Sequence, residues 1–490
     1  MKVTRQIDYF FMPDLLRAGD LQQRIHAVNE KPLLASGRYV LAILHRALRA
    51  ADNPVLDVAA AQAHSLRVGL LVYSELDETA KYASDRLAYF ELGAFRELAQ
   101  GLAPLGIPCV QTLRKAEASD PLGPLLAEAT VVVMDEDFTV WDRRRMARVL
   151  GLAPQTVFAV DASRLVPVRQ LPAELTTTPA FRKAHTALRD RYTALRQEIP
   201  PLAATVKNLK PIAGSALDNF ASHTDAALKA LVTQCSIDHS LPISTHPPTQ
   251  AEIQTRIDTL QAQILPRYKW IRNNAALTHS TSQLSPYLHY GMLSPHQLLA
   301  TVASADMPQA YTWKFRDEFL TWREWSHYQA FHTPNLHEFE SLPSKAKQTL
   351  LAHASDPRPE LCTFEEILQG DTPDETWNAA QREWLHTGWL HNNLRMYWAK
   401  QILRFTESPQ RAWEVACRLN DALSLDGRDS ATYASLQWAF GRSKPGYREQ
   451  PIYGWVAPKS DRAIVKRSGM KAWIAVRQDT ETQLAMDLSG

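Results

Sequence analysis

The sequence predicts an α/β N-terminal domain, a doubly wound parallel sheet, followed by a mostly α-helical domain. Three observations carry this. Short apolar, β-rich runs alternate with helical periodicity up to about residue 166. Beyond that point helical segments such as Ala251 to Ile264 follow, and no internal repeat is present. Of the 13 tryptophans, only Trp141 precedes Trp270. A core does not need so many indoles, because Leu and Ile fill space without an N–H to satisfy. A site that stacks on flat rings, or moves electrons between them, does. Chance clustering in a large helical domain is the bland alternative.

Taken in order, residues 1–31 read as an extension without an assigned role, 32–166 as the α/β domain, 167–205 as a linker and 206–490 as the helical domain. Tyr39 to Leu44 reads as a buried strand, with a helix as the rival reading. Pro54, after Asp52-Asn53, can open a helix. Leu66 to Tyr73, Ile107 to Leu113, Thr130 to Met134 and Val157 to Val160 are the further strands. Helices are expected at Asp85 to Ala103, Leu122 to Ala129 and Trp141 to Leu150. Ala180 to Ile199 is a basic stretch ended by Pro200-Pro201, and a solvated charged helix accounts for most of it.

At 490 residues the chain can bury two sizeable cores. Its 45% hydrophobic and 22% charged residues are those of an ordinary globular protein. A net charge of +2 neither argues for nucleic acid nor excludes a basic groove balanced by acidic surface. Cys109, Cys235, Cys362 and Cys417 are scattered without C-x-x-C spacing. That disfavours a zinc site and a disulfide framework, and suits a reducing cytoplasm. Neither a signal peptide nor a membrane-spanning apolar run is found, and no G-x-G-x-x-G or P-loop marks the sheet.

The chemistry concentrates in three stretches. Glu383 to Trp398 reads as part of one long helix, with Trp384, Gly388, His391, Arg395 and Trp398 along one side. A buried Arg395 needs a partner, and Asp426 on the downstream Leu425-Asp426-Gly427-Arg428-Asp429 turn is the preferred one. The bland reading is a packed aromatic helix with an ordinary ion pair. Thr281-Ser282-Gln283-Leu284-Ser285 precedes a helix, where hydroxyls can cap it or its N-terminus can hold a phosphate. Glu318 and Trp322, at i and i+4, set an acid and an indole on one face.

These stretches resemble the DNA photolyases and cryptochromes. Gly388-Trp389-Leu390-His391-Asn392-Asn393-Leu394-Arg395-Met396 is similar to the helix beside their flavin. Asp374 to Gln381, Arg395 to Lys400, and Leu419-Asn420-Asp421 with Leu425 to Asp429 resemble the class II cyclobutane-dimer photolyases in particular. The likeness extends more weakly from about Leu34 to Trp473. It implies light-driven repair of UV-damaged DNA with FAD as cofactor, and an antenna, a folate or a deazaflavin, left open. It implies FAD contacts from Thr281, Ser282, Gln283, Leu284, Ser285, Phe315, Arg323, Asn392, Arg395, Asn420, Asp426 and Arg428, with Tyr268 and Arg272 weaker candidates. Glu318, Trp322, Met396 and Trp438 would form the lesion pocket, and Trp377 and Trp398 would relay electrons, with Trp384 or Trp389 as further candidates. No metal is implied, a monomer is expected, and a flavin-binding receptor or a (6-4) photoproduct enzyme are the alternatives. The chain departs from the class II pattern at Pro54, at Phe405 (usually Trp) and at Ser430-Ala431-Thr432 before Tyr433 (usually Pro-Asn-Gly).

Overall fold

The computed structural model describes residues 20–196, 218–442 and 445–478. The first domain is a six-stranded sheet. In chain order it runs α1 (Asp20–Arg24), β1 (Ile25–Ala27), β2 (Tyr39–Ile43), α2 (Pro54–Leu66), β3 (Gly69–Asp77), α3 (Asp85–Leu102), β4 (Cys109–Arg114), α4 (Leu122–Glu128), β5 (Ala129–Asp135), α5 (Val140–Leu152) and β6 (Val157–Val160). Strand order is β1-β6-β5-β2-β3-β4, with every pairing parallel except β1 on β6. β2 and β5 are buried at every position, as strands covered by helices on both faces must be. Tyr39–Ile43 is thus a strand and not a helix. Asn53 caps α2 by accepting from the Val55 N–H, with Pro54 in the first turn where its missing N–H costs nothing.

Two expectations need correction. Residues 20–27 are not a bare extension, because Arg24 donates to the Asp161, Arg164 and Leu165 carbonyls and β1 closes the sheet edge. Residues 1–19 and 197–217, the latter part of the expected linker, lie outside the described residues. The long helix through Gly388 is two helices, Glu375–Thr387 and Asn392–Phe405. Gly388 caps the first in the left-handed conformation (φ 75°), and a side chain there would run into Arg86 on α3. Arg86 itself is fully buried and donates to the carbonyls of Pro242, Trp384, Leu385 and Leu423. A guanidinium at a helix C-terminus satisfies the last carbonyls and opposes their partial negative charge. It also ties the second domain to the first.

The apolar core reflects this. One cluster joins α2 and α3 to Phe220, Tyr287, Leu320 and Leu425, so the halves share a core. A second lies within the helical part around Trp377, Trp384, Trp398 and Phe440.

Candidate functional site

Arg395, half-buried on the Asn392–Phe405 helix, meets Asp426 at 2.9 Å and the Ser424 hydroxyl at 3.0 Å. The expected pair is formed, though across two helices and a turn. Burial works against the Asp426 charge, but Arg395 and the Ser285 and Ser424 hydroxyls outweigh it and hold the carboxyl below its ordinary range. Gly427 lets this turn fold back: a Cβ there would lie 2.4 Å from the Asn420 carbonyl oxygen.

The Thr281–Ser285 loop lies against this pair. Its hydroxyls do not cap the following Ser285–His289 helix, whose N-cap is Leu284 without a side-chain bond. Gln283 instead takes a left-handed conformation (φ 51°) and accepts from Arg256 at 3.0 Å, with the His246 ring at the same distance. Trp389 donates its indole N–H to the Ser285 hydroxyl. Thr281 Oγ1, Arg395 Nε, Trp384 Nε1 and His391 Nε2 are buried without a partner. Buried polar atoms are normally bonded, so this group of orphans around one loop and one guanidinium is what a polar ligand would satisfy.

The second cluster is the Glu318 wall. Glu318 accepts from Arg272 at 2.8 Å and pairs with Lys314 at 2.7 Å, while Tyr268 packs edge-on against Phe315 at 5.3 Å. Burial and the nearby Glu318 charge push the Tyr268 phenol up. Glu318–Arg323 is a π-helical segment, and so is Trp438–Arg442. Such insertions are common at functional sites because they re-aim side chains on an otherwise regular helix. Trp438 is 38% exposed, with Lys400 on the Arg395 helix 5.7 Å from its ring centre. Met396 is half-buried on that helix and Asn392 is exposed at its start.

The tryptophans form a continuous buried column. Arg395 lies 5.0 Å from the Trp384 ring, Trp384 meets Trp398 edge-on at 5.2 Å, and Trp398 stacks on Trp377 at 5.6 Å and 13°. Phe405 closes the column 5.4 Å beyond Trp377. All four rings are fully buried.

Three expected residues turn their side chains to other groups of the protein. Arg323 turns to Glu324 and the Ser163 carbonyl at the boundary with the sheet domain. The Arg428 side chain faces a crevice with His289 and Tyr290, while its carbonyl accepts from Arg46. Asn420 is buried and donates to the Ala416 carbonyl one turn back. Sequence reasoning missed the Arg46–His289–Asp429 chain, where the His289 ring lies 2.8 Å from Asp429 and Arg46 also holds Asp142. No local pattern signals contacts between residues so far apart in sequence.

The sheet, the helical second half and the indole column define a two-part protein in which a cluster of unpartnered buried polar atoms abuts a chain of oxidisable rings. The comparisons give that class a family. A profile described as DNA photolyase matches residues 40–204. A protein of Methanothermobacter thermautotrophicus named deoxyribodipyrimidine photo-lyase is 27% identical over 451 residues, 91% of this chain and 96% of that one. One of the same name from Oryza sativa subsp. japonica is 30% identical over 349 residues, 69% and 65% of the two chains. The solved Synechocystis cryptochrome superposes with a TM-score of 0.62 at 15% identity, covering 91% of each chain. Over nearly its whole length the chain is thus similar to proteins named as DNA photolyases, and it shares its fold with a cryptochrome.

Proposed function

We propose that this protein binds FAD and uses light to split cyclobutane pyrimidine dimers in DNA, in the manner of the class II enzymes. The observation that carries the reading is the set of unpartnered buried polar atoms around the Arg395–Asp426 pair, beside the column of tryptophans. The residues fit the cofactor: Thr281, whose hydroxyl is unpartnered, with Ser282 and Ser285 would supply hydroxyls for a diphosphate, and Arg395, Asp426 and Trp384 would supply a guanidinium, a carboxylate and an indole N–H for a flavin ring. Bound FAD supplies one-electron transfer driven by light. Arg395 and Asp426 neutralise one another, and together they would set the charge beside a bound flavin. Glu318, tied by Arg272 and Lys314, presents an acceptor to an extruded base, and the partly exposed Trp322 and Trp438 offer flat surfaces on which it stacks. Such stacking is worth about 1–3 kcal/mol per base.

An antenna is a different matter. A cavity of about 40 Å³ at the carboxyl ends of β2 and β3 is lined by His45, Arg46, Glu91, Arg145, His289 and Arg428. It has room for a water or so, and a folate or deazaflavin would have to displace Arg46 and Arg145. That cavity as it stands does not fit one.

The (6-4) reading needs a histidine that can donate a proton. Burial, with Lys459, Arg467 and Arg272 near it, pushes His391 down to about 3, so it stays neutral. The receptor reading draws on Phe405 and the Ser430–Thr432 stretch.

Irradiating the reduced, FAD-loaded protein with a dimer-bearing oligonucleotide distinguishes these. Regained thymine absorbance is expected; bound flavin with no regain would assign the protein to signalling instead. The column makes a separate prediction. Phe405→Trp should speed flavin photoreduction by an external thiol, since indole is far easier to oxidise than a phenyl ring. Overpacking this buried site should cost about 1–3 kcal/mol. Stopped illumination followed at the flavin band, with a urea melt, checks both.

A further inference from the structure

The Trp384–Trp398–Trp377 column is sealed at its far end by Phe405, yet a second line of oxidisable rings reaches the same region. Tyr433, 1% exposed, donates its phenolic O–H to the Asp421 carboxylate, 2.9 and 3.0 Å from its two oxygens. The same phenolic oxygen accepts the Trp141 indole N–H at 2.7 Å. Trp141 lies on α5 and is only half-buried, and Tyr82, also half-buried, meets it edge-on at 6.2 Å. At the inner end, Asp421 directly follows Asn420 and accepts from the Arg428 N–H at 3.0 Å, so it sits on the back of the Asp426–Asp429 turn. Indole, phenol and carboxylate thus stand in one hydrogen-bonded row from the sheet domain to the proposed flavin turn.

Packing alone does not ask for this composition. An asparagine at 421 would accept from the phenol without the cost of a buried charge, and among the described residues no Lys or Arg lies within ion-pair distance of Asp421. Burial pushes Asp421 up to about 7, opposed by the Tyr433 hydrogen bond, the Arg428 charge and backbone N–H, and Lys81. Cys417, one turn back on the same helix, and Tyr433 are themselves pushed up by burial and by Asp421. Asp421 is thus poised to take a proton near neutrality.

We propose that Tyr433, with Asp421 as its proton acceptor and Trp141 behind it, is a second electron entrance to the flavin, coupled to proton transfer. The proposal rests on the FAD reading above. Tyr433 would give one electron to a bound, light-excited oxidised flavin while its phenolic proton crosses the existing hydrogen bond to the Asp421 carboxylate. A neutral tyrosyl radical remains. Trp141, whose N–H already points at that oxygen, returns one electron and that proton, leaving a neutral indolyl radical. Arg144, 5.5 Å from the Trp141 ring, disfavours an indole cation and so favours loss of the N–H proton with the electron. A soluble thiol then restores Trp141 by giving up a hydrogen atom. The net change is one electron on the flavin, one proton on Asp421 and one hydrogen lost from the thiol.

The test uses FAD-loaded protein, with flavin content first fixed by absorbance so that failure to bind FAD is seen separately. In a Trp398→Phe background, blue light at pH 8 with dithiothreitol should still reduce the flavin, and frozen samples should show a neutral tyrosyl radical by electron paramagnetic resonance. Adding Tyr433→Phe should remove that radical and slow reduction at least tenfold. Asp421→Asn should slow it similarly and abolish its rise with pH around 7, and D₂O should slow the Asp421 form at least twofold. Trp398→Phe alone abolishing photoreduction, or Tyr433→Phe changing neither rate nor radical, would overturn the proposal. Failure of the wild type to take up FAD would overturn both readings together. In flavin-free protein, Trp141 fluorescence should titrate near pH 7 and lose that step in Asp421→Asn; an unchanged step would remove Asp421 as the acceptor.

Discussion

Asp426→Ala should destabilise the protein by about 3–5 kcal/mol, because it leaves the Arg395 guanidinium buried without its counter-charge. The pair is only 12–13% exposed, so water cannot take the carboxylate's place as it would at a surface. Ser424 would keep its bond to Arg395 but cannot balance a charge. The same substitution should cost FAD binding more than Ser285→Ala, which leaves the Arg395–Asp426 ion pair in place and removes one hydroxyl bond to a charged group, worth about 1.5–3 kcal/mol. Urea melts of the flavin-free protein separate the two effects. Asp426→Asn, which keeps the shape and an acceptor, should recover part of the stability and little of the binding.

The second large effect is with pH. His246 and His391 flank the cradle, and burial, with cationic neighbours, pushes each down to about 3 from the ordinary 6.5. A depressed histidine favours the folded state fully above its unfolded pKa, and that advantage is lost as the pH falls from 6.5 toward 3. By pH 5 each should have lost roughly 2 kcal/mol. Asp421, raised by burial, has the opposite sign: its contribution is present below the ordinary carboxylate range and lost as pH rises through about 7. Comparing wild type with a His246→Gln, His391→Gln double variant isolates the histidine part. The stability difference between them at pH 7.5 and at pH 5.0 should differ by about 4 kcal/mol in the variant's favour at low pH. The pH-independent cost of the substitutions cancels. An equal difference at both pH values would mean the imidazoles are not held neutral.

Much of this was legible in the sequence because it is local. Alternation of apolar runs with helical periodicity marks β2 to β6, and Asn53-Pro54 marks the start of α2. The need of a buried guanidinium for a carboxylate pointed to Asp426. The helix through Gly388 misled because periodicity continues across the break. What ends that helix is Arg86, nearly 300 positions away, gathering its carbonyls. Arg323 misled for a related reason: its Ser163 acceptor belongs to the other domain. The Arg46–His289–Asp429 and Trp141–Tyr433–Asp421 rows join the two halves through a few hydrogen bonds between residues far apart in sequence, and no spacing rule reaches that far.

Titrating the flavin-free protein with FAD, and following quenching of flavin fluorescence, tests the central claim most directly. One flavin per chain is expected, held at micromolar concentration or below and released at least a hundredfold more readily from Asp426→Asn. No saturable binding, or equal affinity in the two proteins, would contradict a flavin seated on the Arg395–Asp426 pair.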